Sequence, residues 1–270
     1  MTEVKDNPLV KRSHGGILHL IWKHRMVYTL LLPGLIWYIV FAYGPMGGLQ
    51  LAFKTYRASE GIWGSPWAGL KNYERVFGDP AFWSAVFRTL YINIGRLIFQ
   101  FPIPIILALL LNEMKFVKFK KVVQTVFTFP HFLSWIVVAS ILTNMLSLDG
   151  LVNNVLAAFG MERISFLGSP SIFQPMLYIT DAWKSAGWGA IVYLAAISGV
   201  DTDQYEAAEI DGASRFQRVF FITLPNIMPT IVVMFILAVG GVMSTGFDQV
   251  FNLDNVSVRS VSEILDMYIY

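Results

Sequence analysis

Three charged residues lie inside long apolar stretches of the sequence. Asp181 and Lys184 belong to an apolar stretch at about 173–197, and Arg96 belongs to another at about 90–111. Charges in such surroundings face a neighbouring helix, a wet cavity or a partner, and they often mark the path of a polar solute. Because positions i and i+3 share a helix face, the spacing favours an ion pair between Asp181 and Lys184. Hydrogen bonding of either side chain to a solute hydroxyl is the alternative.

A second group of residues has a fixed spacing between two apolar stretches. It reads E-A-A-x3-G-x9-I-x-L-P and comprises Glu206, Ala207, Ala208, Gly212, Ile222, Leu224 and Pro225. At ~5–10% usage for each residue type, a chance match in a chain of this length is on the order of 10⁻⁶. The spacing is therefore a specific signal.

The first half of this group predicts a short helix. Asp203 and Glu206 have the spacing of a capping box, so we expect a helix to begin at Gln204. Ala207 and Ala208 keep one flank of that helix thin, which lets another protein approach its backbone closely. For Glu206 alone, a solvated capping carboxylate is the simplest alternative.

The second half carries the signals for a bend and a new start. Gly212 lies where a residue with positive φ would end the first helix. Ser214 and Gln217 provide another capping box, and Pro225 favours the start of the next apolar helix. We therefore expect a helix–turn–helix on a membrane surface, with an ordinary amphipathic interfacial loop as the alternative.

The composition predicts an integral membrane protein without catalytic chemistry of its own. Apolar residues make up 55% of the chain, charged residues only 14%, and the mean hydropathy is +0.56. The net charge of +2 is too small to indicate nucleic-acid binding, and the lack of cysteine excludes disulfides and thiolate-bound metal. Because the four histidines are scattered and Walker A, H-E-x-x-H and G-x-S-x-G patterns are absent, we expect no catalytic site, metal or cofactor.

Five apolar stretches are long enough to cross a membrane, which takes ~20 residues. They cover about 26–43, 90–111, 122–146, 173–197 and 227–247. The expected fold class is an all-α integral membrane protein, a polytopic helix bundle. Basic residues predict its orientation, since 11 of 20 lie in the segments 1–25, 112–121 and 199–226, against seven in the longer segments 45–89, 147–172 and 248–270. The N-terminus and the helix–turn–helix are therefore expected in the cytoplasm.

Several segments of the sequence resemble a known family. The 206–225 stretch is similar, at every fixed position, to the coupling loop of binding-protein-dependent ABC importer permeases. Segments 67–73 (WAGLKNY), 79–83 (DPAFW), 129–131 (FPH) and 150–153 (GLVN) resemble its carbohydrate branch, of the maltose and complex-polysaccharide type. Within that branch the chain is similar to the first member of the heterodimeric permease pairs, over about residues 30–270.

The resemblance implies a sugar permease subunit of the cell membrane that is driven by ATP hydrolysed elsewhere. Its partners would be a second homologous permease subunit, a pair of ATP-binding cassette ATPases, an extracytoplasmic solute-binding protein, an oligosaccharide or polysaccharide-derived sugar, and membrane lipid. In this family the E-A-A helix seats in a groove of the ATPase. Glu206 would meet a basic residue there, Ala207 and Ala208 would allow the close fit, and Gly212 would make the bend.

The resemblance also implies how the chain is organised. A basic leader would occupy 1–25, the first span with an outer loop 26–89, and the permease core 90–270, with its coupling loop at 199–225. Six core spans are typical of the family, so five spans are expected here, with the sixth missing at the C-terminus.

Candidates for the sugar path all lie on the fourth apolar stretch. They are Asp181, Trp183, Lys184, Trp188 and Tyr193. The three aromatic rings offer flat surfaces to pyranose rings, although simple packing is the commoner role of aromatic residues on a membrane helix. Two other functions stay open: a permease of the same superfamily for a peptide, polyamine or oxyanion, and a membrane enzyme. An enzyme would need polar catalytic residues clustered near one interface, and the sequence has no such cluster.

Overall fold

The part of the chain that the computed structural model describes, residues 22–243 and 246–270, is helical. No β-strand occurs within these ranges, so the predicted all-α fold class is confirmed there. Two compact units are present, one ending at Gly78 and the other running from Asp79 to Tyr270. Most of the basic leader, residues 1–21, lies outside the described residues.

The first unit consists of a long helix and a folded loop. Its elements are α1 (Arg25–Trp37), a π-helical stretch (Tyr38–Tyr43), α2 (Gly44–Met46), a 3-10 helix (Gly47–Phe53), α3 (Gly61–Gly64) and α4 (Lys71–Phe77). The helical path continues to Phe53, beyond the predicted end at 43. Buried Lys54 closes the loop, because its ammonium donates to the carbonyls of Ile62 and Trp63 at 3.1 and 3.0 Å.

The second unit is a bundle of longer helices with short helices at their ends. Its elements are α5 (Pro80–Gln100), α6 (Pro102–Asn112), α7 (Val117–Thr128), a 3-10 helix (Phe129–Phe132), α8 (Trp135–Leu146), α9 (Leu151–Ala158), α10 (Pro170–Ser198), α11 (Thr202–Ile210), α12 (Arg215–Arg218), a π-helical stretch (Val219–Thr223), α13 (Leu224–Gly240), α14 (Phe247–Leu253), α15 (Arg259–Ser262) and α16 (Leu265–Ile269).

Helix α10 is the centre of this bundle, and it contributes to two apolar cores. One core contains Phe173 and Leu177, which pack with Ile92 of α5 and Val250 of α14. The other lies nearer the C-terminal end of α10, around Tyr193 and its neighbours from α6 and α13. Since α10 contacts α5, α6, α7 and α13, its buried side chains are positioned by neighbouring helices.

Four of the described helical stretches are long and apolar enough to cross a membrane. They are Arg25–Phe53, Pro80–Asn112, Trp135–Ala158 and Arg215–Gly240. The predicted fourth span is present as a single helix, α10, but it is not among the four, because it carries Asp181 and Lys184 and lacks a sufficiently apolar window. The predicted third span, 122–146, is interrupted at Leu133 and Ser134, which separate a 3-10 helix with Pro130 in its first turn from the start of α8.

Candidate functional site

The helix that carries Glu206 begins two residues earlier than the capping-box spacing predicts. Asp201 is its N-cap, and the Asp201 carboxylate accepts a hydrogen bond from the backbone N–H of Asp203 at 3.0 Å. The predicted Asp203–Glu206 capping box is therefore wrong. Asp201 has the extended backbone of a cap, and it follows Gly199, which ends α10.

The predicted bend and second start are both confirmed. Gly212 has φ +77°, and the backbone N–H of Ala213 donates to the carbonyl of Ala208 at 2.9 Å, as expected at a glycine-terminated helix end. Ser214 and Gln217 then form a reciprocal capping box at the start of α12. A residue with a Cβ would be strained at the Gly212 backbone conformation, so this bend depends on glycine.

Three polar contacts hold α11 against the segment that leads into α13. Glu209 forms an ion pair with Arg218 at 3.0 Å, and the hydroxyl groups of Tyr205 and Thr223 lie 2.9 Å apart. A third contact, at 2.9 Å, joins the amide side chains of Gln204 and Asn226. None of these three contacts has a signal in the sequence, because the partners are 9 to 22 positions apart and no local pattern relates them. Helices α11 and α12 and the π-helical stretch, residues 202–223, are consequently held together, and this segment is called the braced element.

The outer surface of this braced element carries both polar and apolar side chains, and most of them are exposed. Glu206 and Ala207 are exposed and Ala208 is half-buried. Ile210 is 87% exposed and Phe216 is 78% exposed. Large apolar side chains this open beside a thin alanine flank are typical of a surface that binds another protein.

The remaining residues of the fixed pattern anchor the element to the bundle. Ile222 and Leu224 are half-buried on either side of buried Thr223, and Pro225 occupies the first turn of α13. The helical path is continuous from Arg215 to Gly240, so the apolar helix does not begin at Pro225 as predicted. The braced element is covalently and helically continuous with α13, because α13 follows the π-helical stretch without a break.

The three charges of the apolar stretches lie near one another, but their pairing differs from the prediction. Arg96 Nε lies 3.7 Å from the Asp181 carboxylate. Lys184 instead donates to the carbonyl of His131 at 3.0 Å, so the predicted Asp181–Lys184 pair is wrong. Arg96 pairs with Asp181 because both side chains are buried between α5 and α10, whereas Lys184 extends towards the 3-10 helix that precedes α8.

Arg96 also fixes a third segment of the bundle. Its guanidinium donates to the side-chain oxygen of Gln249, and the Gln249 amide donates to the Leu177 carbonyl at 2.9 Å and the Thr180 hydroxyl at 2.8 Å. Asn93 extends the network by donating to the carbonyl of Val242 at 2.6 Å. Gln249 is polar, follows an apolar helix and gives no sequence signal, so only the tertiary structure identifies it.

A cavity of about 300 Å³ lies beside this network, between α5, α6, α10 and α13. Its polar lining comes from Asn93, Arg96, Gln100 and Ser185, with Trp188 and Tyr193 also in the wall. The volume is near the lower end of pockets that hold small molecules, about 300–1,000 Å³. Arg96 thus lies in a cavity wall, one of the surroundings expected for a charge in an apolar stretch.

The structure separates the three aromatic candidates. Tyr193 is 2% exposed and packs in an apolar core. Trp183 is 47% exposed and is not among the residues that line the cavity. Trp188 is 48% exposed, lines the cavity and stacks on the ring of His131, with centroids 4.6 Å apart and planes 3° apart. Among the three, Trp188 combines accessibility with a fixed ring orientation.

Comparison with known proteins agrees with this architecture. Residues 77–247, more than half of the chain, match the family described as binding-protein-dependent transport system inner membrane component. The chain belongs to this family. Members are inner-membrane proteins, and the four apolar helical stretches indicate a multi-pass arrangement. The family match includes the whole of the braced element around Gly212.

Two relatives from Bacillus subtilis are similar over nearly the whole chain. The polygalacturonan/rhamnogalacturonan transport system permease protein YteP is 42% identical over 96% of this chain and 81% of its own length. Protein LplB is 40% identical over 98% of this chain and 84% of its own length. The trehalose/maltose transport system permease protein MalF of Thermococcus litoralis is more distant, at 31% identity over 79% of this chain and 72% of its own length.

A solved structure of a family member has the same fold. A chain of a bacterial ABC transporter that imports the acidic polysaccharide alginate superimposes with a TM-score of 0.86 and is 37% identical. The match covers 94% of this chain and 85% of that chain. A second structure of a bacterial alginate ABC transporter, in complex with an alginate pentasaccharide-bound periplasmic protein, superimposes with a TM-score of 0.85.

Proposed function

We propose that this protein is a transmembrane permease subunit of an ATP-driven importer for an oligosaccharide or polysaccharide-derived sugar. The single observation that carries the proposal is the braced helix–turn–helix, with its glycine bend and exposed flank, in a member of the permease family. Relatives named for polygalacturonan, maltose and alginate transport support a sugar in preference to a peptide, polyamine or oxyanion. The protein is not itself an enzyme in this proposal.

The coupling loop, 199–225, is proposed to receive the mechanical work. The thin flank of Ala207 and Ala208 would seat in a groove of a partner ATP-binding cassette ATPase, with Glu206 meeting a basic residue of that groove. Ile210 and Phe216 would be buried by the same contact. ATP-driven closure of a pair of ATPases would then displace the braced element as a unit, because Arg218 and Glu209 tie its two helices together.

The arrangement in the membrane follows from the same proposal. The coupling loop and the N-terminus would face the cytoplasm, where ATP is present, in line with the Lys and Arg distribution. Helix α10 would be a fifth crossing, shielded in part from lipid by α5, α6, α7 and α13. A basic leader at 1–25 and a first span with an outer loop at 26–89 would precede the core at 90–270.

The sugar is proposed to pass along α10, from an extracytoplasmic solute-binding protein and between this chain and a second homologous permease subunit. Trp188 and Lys184 would contact it directly. Asp181 would act by holding Arg96 in the cavity wall, while Tyr193 and Trp183 would pack rather than bind. Support comes from the accessibility of Trp188 and the burial of Tyr193.

Reconstitution tests the proposal. The complete importer, co-expressed with its gene neighbours and placed in lipid nanodiscs, should hydrolyse ATP faster when the solute-binding protein and an oligosaccharide mixture are added together. Failure of every oligosaccharide to stimulate hydrolysis, with stimulation by a peptide or polyamine, would refute sugar import. Loss of all ATPase subunits from a purified complex that retains the permease pair would refute the coupling role.

A further inference from the structure

The charges buried within the bundle do not balance. Arg96 is paired with Asp181, whereas Lys184 forms no ion pair with any carboxylate in the described part of the chain. A cation in a membrane-spanning helix is costly unless a counter-ion or water reaches it. Arg96 and half-buried Lys184 therefore contribute two cations against the single carboxylate of Asp181, which leaves one positive charge in excess beside the central helix, α10.

The surroundings of Lys184 hold its ammonium in one place. One of its three N–H donors goes to the carbonyl of His131 at 3.0 Å, and the nitrogen lies 5.4 Å from the ring centroid of Trp135. Two donors remain for another acceptor. Cation–π contact of this kind orients a lysine without neutralising its charge.

A flat apolar surface lies next to this cation. Trp188 follows Lys184 by four positions on α10, so the two side chains are neighbours on one helix face, with Cβ atoms on the order of 5–6 Å apart. One face of the Trp188 ring is covered by His131, and 48% of the residue is still exposed. Trp188 thus presents a fixed ring to a ligand beside the ammonium.

Close helix packing keeps the two parts in register. At Gly187, a Cβ would lie 2.1 Å from the backbone oxygen of Phe127, so only glycine allows α10 to approach α7 this closely. That approach places the His131 carbonyl and ring against Lys184 and Trp188 respectively. The site is therefore built by the packing of two elements and not by a flexible side chain.

We propose that the transported sugar is anionic: the carboxylate of a uronic acid residue binds Lys184 while its pyranose ring stacks on Trp188. In a uronic acid the carboxylate is attached directly to the ring, which matches the short separation of the cation and the aromatic surface. The inference rests on the proposed sugar import and adds the chemical class of the sugar. Neutral sugars would use the ring surface but leave the Lys184 charge uncompensated.

The test compares acidic oligosaccharides with their neutral counterparts. Oligogalacturonates and oligomers of mannuronate and guluronate, each beside its carboxyl-reduced form, are added to the complete importer in nanodiscs with its solute-binding protein. The readout is the sugar concentration that gives half-maximal stimulation of ATP hydrolysis. Lys184→Gln removes the charge, Lys184→Arg keeps it, and Lys118→Gln makes the same charge change at an exposed position of α7. The solute-binding protein is the same throughout, so differences among variants report on the permease.

We expect an acidic oligosaccharide to stimulate the wild type, and Lys184→Gln to raise the half-maximal concentration about tenfold or more, as for loss of a charge-assisted hydrogen bond. Lys184→Arg and Lys118→Gln should stay near the wild-type value. Stimulation by neutral oligosaccharides alone would overturn the inference and leave sugar import intact. Equal losses in Lys184→Gln and Lys184→Arg would also overturn it, by assigning Lys184 a structural role. Stimulation by no sugar at all would overturn both proposals.

Discussion

Arg96 and Asp181 form an ion pair, at 3.7 Å, between two helices that the sequence separates by 85 positions. Their side chains are 4% and 15% exposed. Such a pair fixes the relative register of α5 and α10, because removal of either partner leaves a charge in surroundings that solvate it poorly.

Replacement of Arg96 by leucine should destabilise the bundle by roughly 3–5 kcal/mol, since Asp181 then lacks its cation. Arg163→Leu breaks an exposed pair with Asp149 and should cost less than about 1 kcal/mol. Denaturation in mixed micelles measures both. The double variant Arg96→Leu with Asp181→Leu should recover most of the loss, and a double variant no more stable than Arg96→Leu would contradict this account.

Substitution of Gly212 tests the bend of the coupling loop. Gly212→Asp should leave the protein in the membrane but abolish sugar-stimulated ATP hydrolysis, because a side chain at φ +77° costs roughly 1–2 kcal/mol and alters the angle between α11 and α12. Gly160→Asp is the matched control, as Gly160 has φ +75° at the end of α9, outside the coupling loop. Normal stimulation in the Gly212 variant would argue against the coupling role.

The exposed apolar side chain of Ile210 tests the ATPase contact. Ile210→Glu should weaken co-purification of the ATPase subunits at least tenfold, because it places an unpaired charge in a contact proposed to be apolar. Val256→Glu is a suitable control, since Val256 is 92% exposed and lies outside the coupling loop. Both variants should accumulate in the membrane at wild-type levels. Equal ATPase recovery with the two variants would remove Ile210 from the contact.

The aromatic residues of α10 should separate into packing and binding roles. Tyr193→Ala should destabilise the protein by about 3–5 kcal/mol, because it opens a cavity in a core. Trp188→Ala should change stability much less and lower sugar uptake, whereas Trp183→Ala should leave uptake unchanged. Melting temperature and uptake of labelled oligosaccharide measure the two effects. A Trp188 variant with normal uptake would remove this ring from the sugar path.

Some structural features with a local signal in the sequence were predicted correctly. The bend at Gly212 and the capping box of Ser214 each depend on a few consecutive residues, and both are present. The N-cap was misplaced because Asp201 and Asp203 are both good capping residues, and the end of α10 decides between them. Local chemistry alone does not contain that information.

The buried charges show why tertiary partners were missed. Spacing on one helix favoured Asp181 with Lys184, but Arg96 lies on α5 and reaches Asp181 across the bundle. Gln249 could not be predicted either, because its role depends on three other segments that meet around it. Helix spacing identifies which side chains share a face, and only the packed bundle decides which of them pair.

Helix α10 has the most buried residues of the long helices in the bundle. Its mean hydropathy is nevertheless below the level typical of a membrane-spanning helix. A segment of this kind gains little by partitioning alone from the translocation machinery into lipid. In the proposed arrangement it would enter the bilayer once α5, α6 and α7 are available to shield its charges. Membrane insertion of α10 is therefore expected to depend on α5, α6 and α7. A truncation that removes these helices should leave α10 outside the membrane.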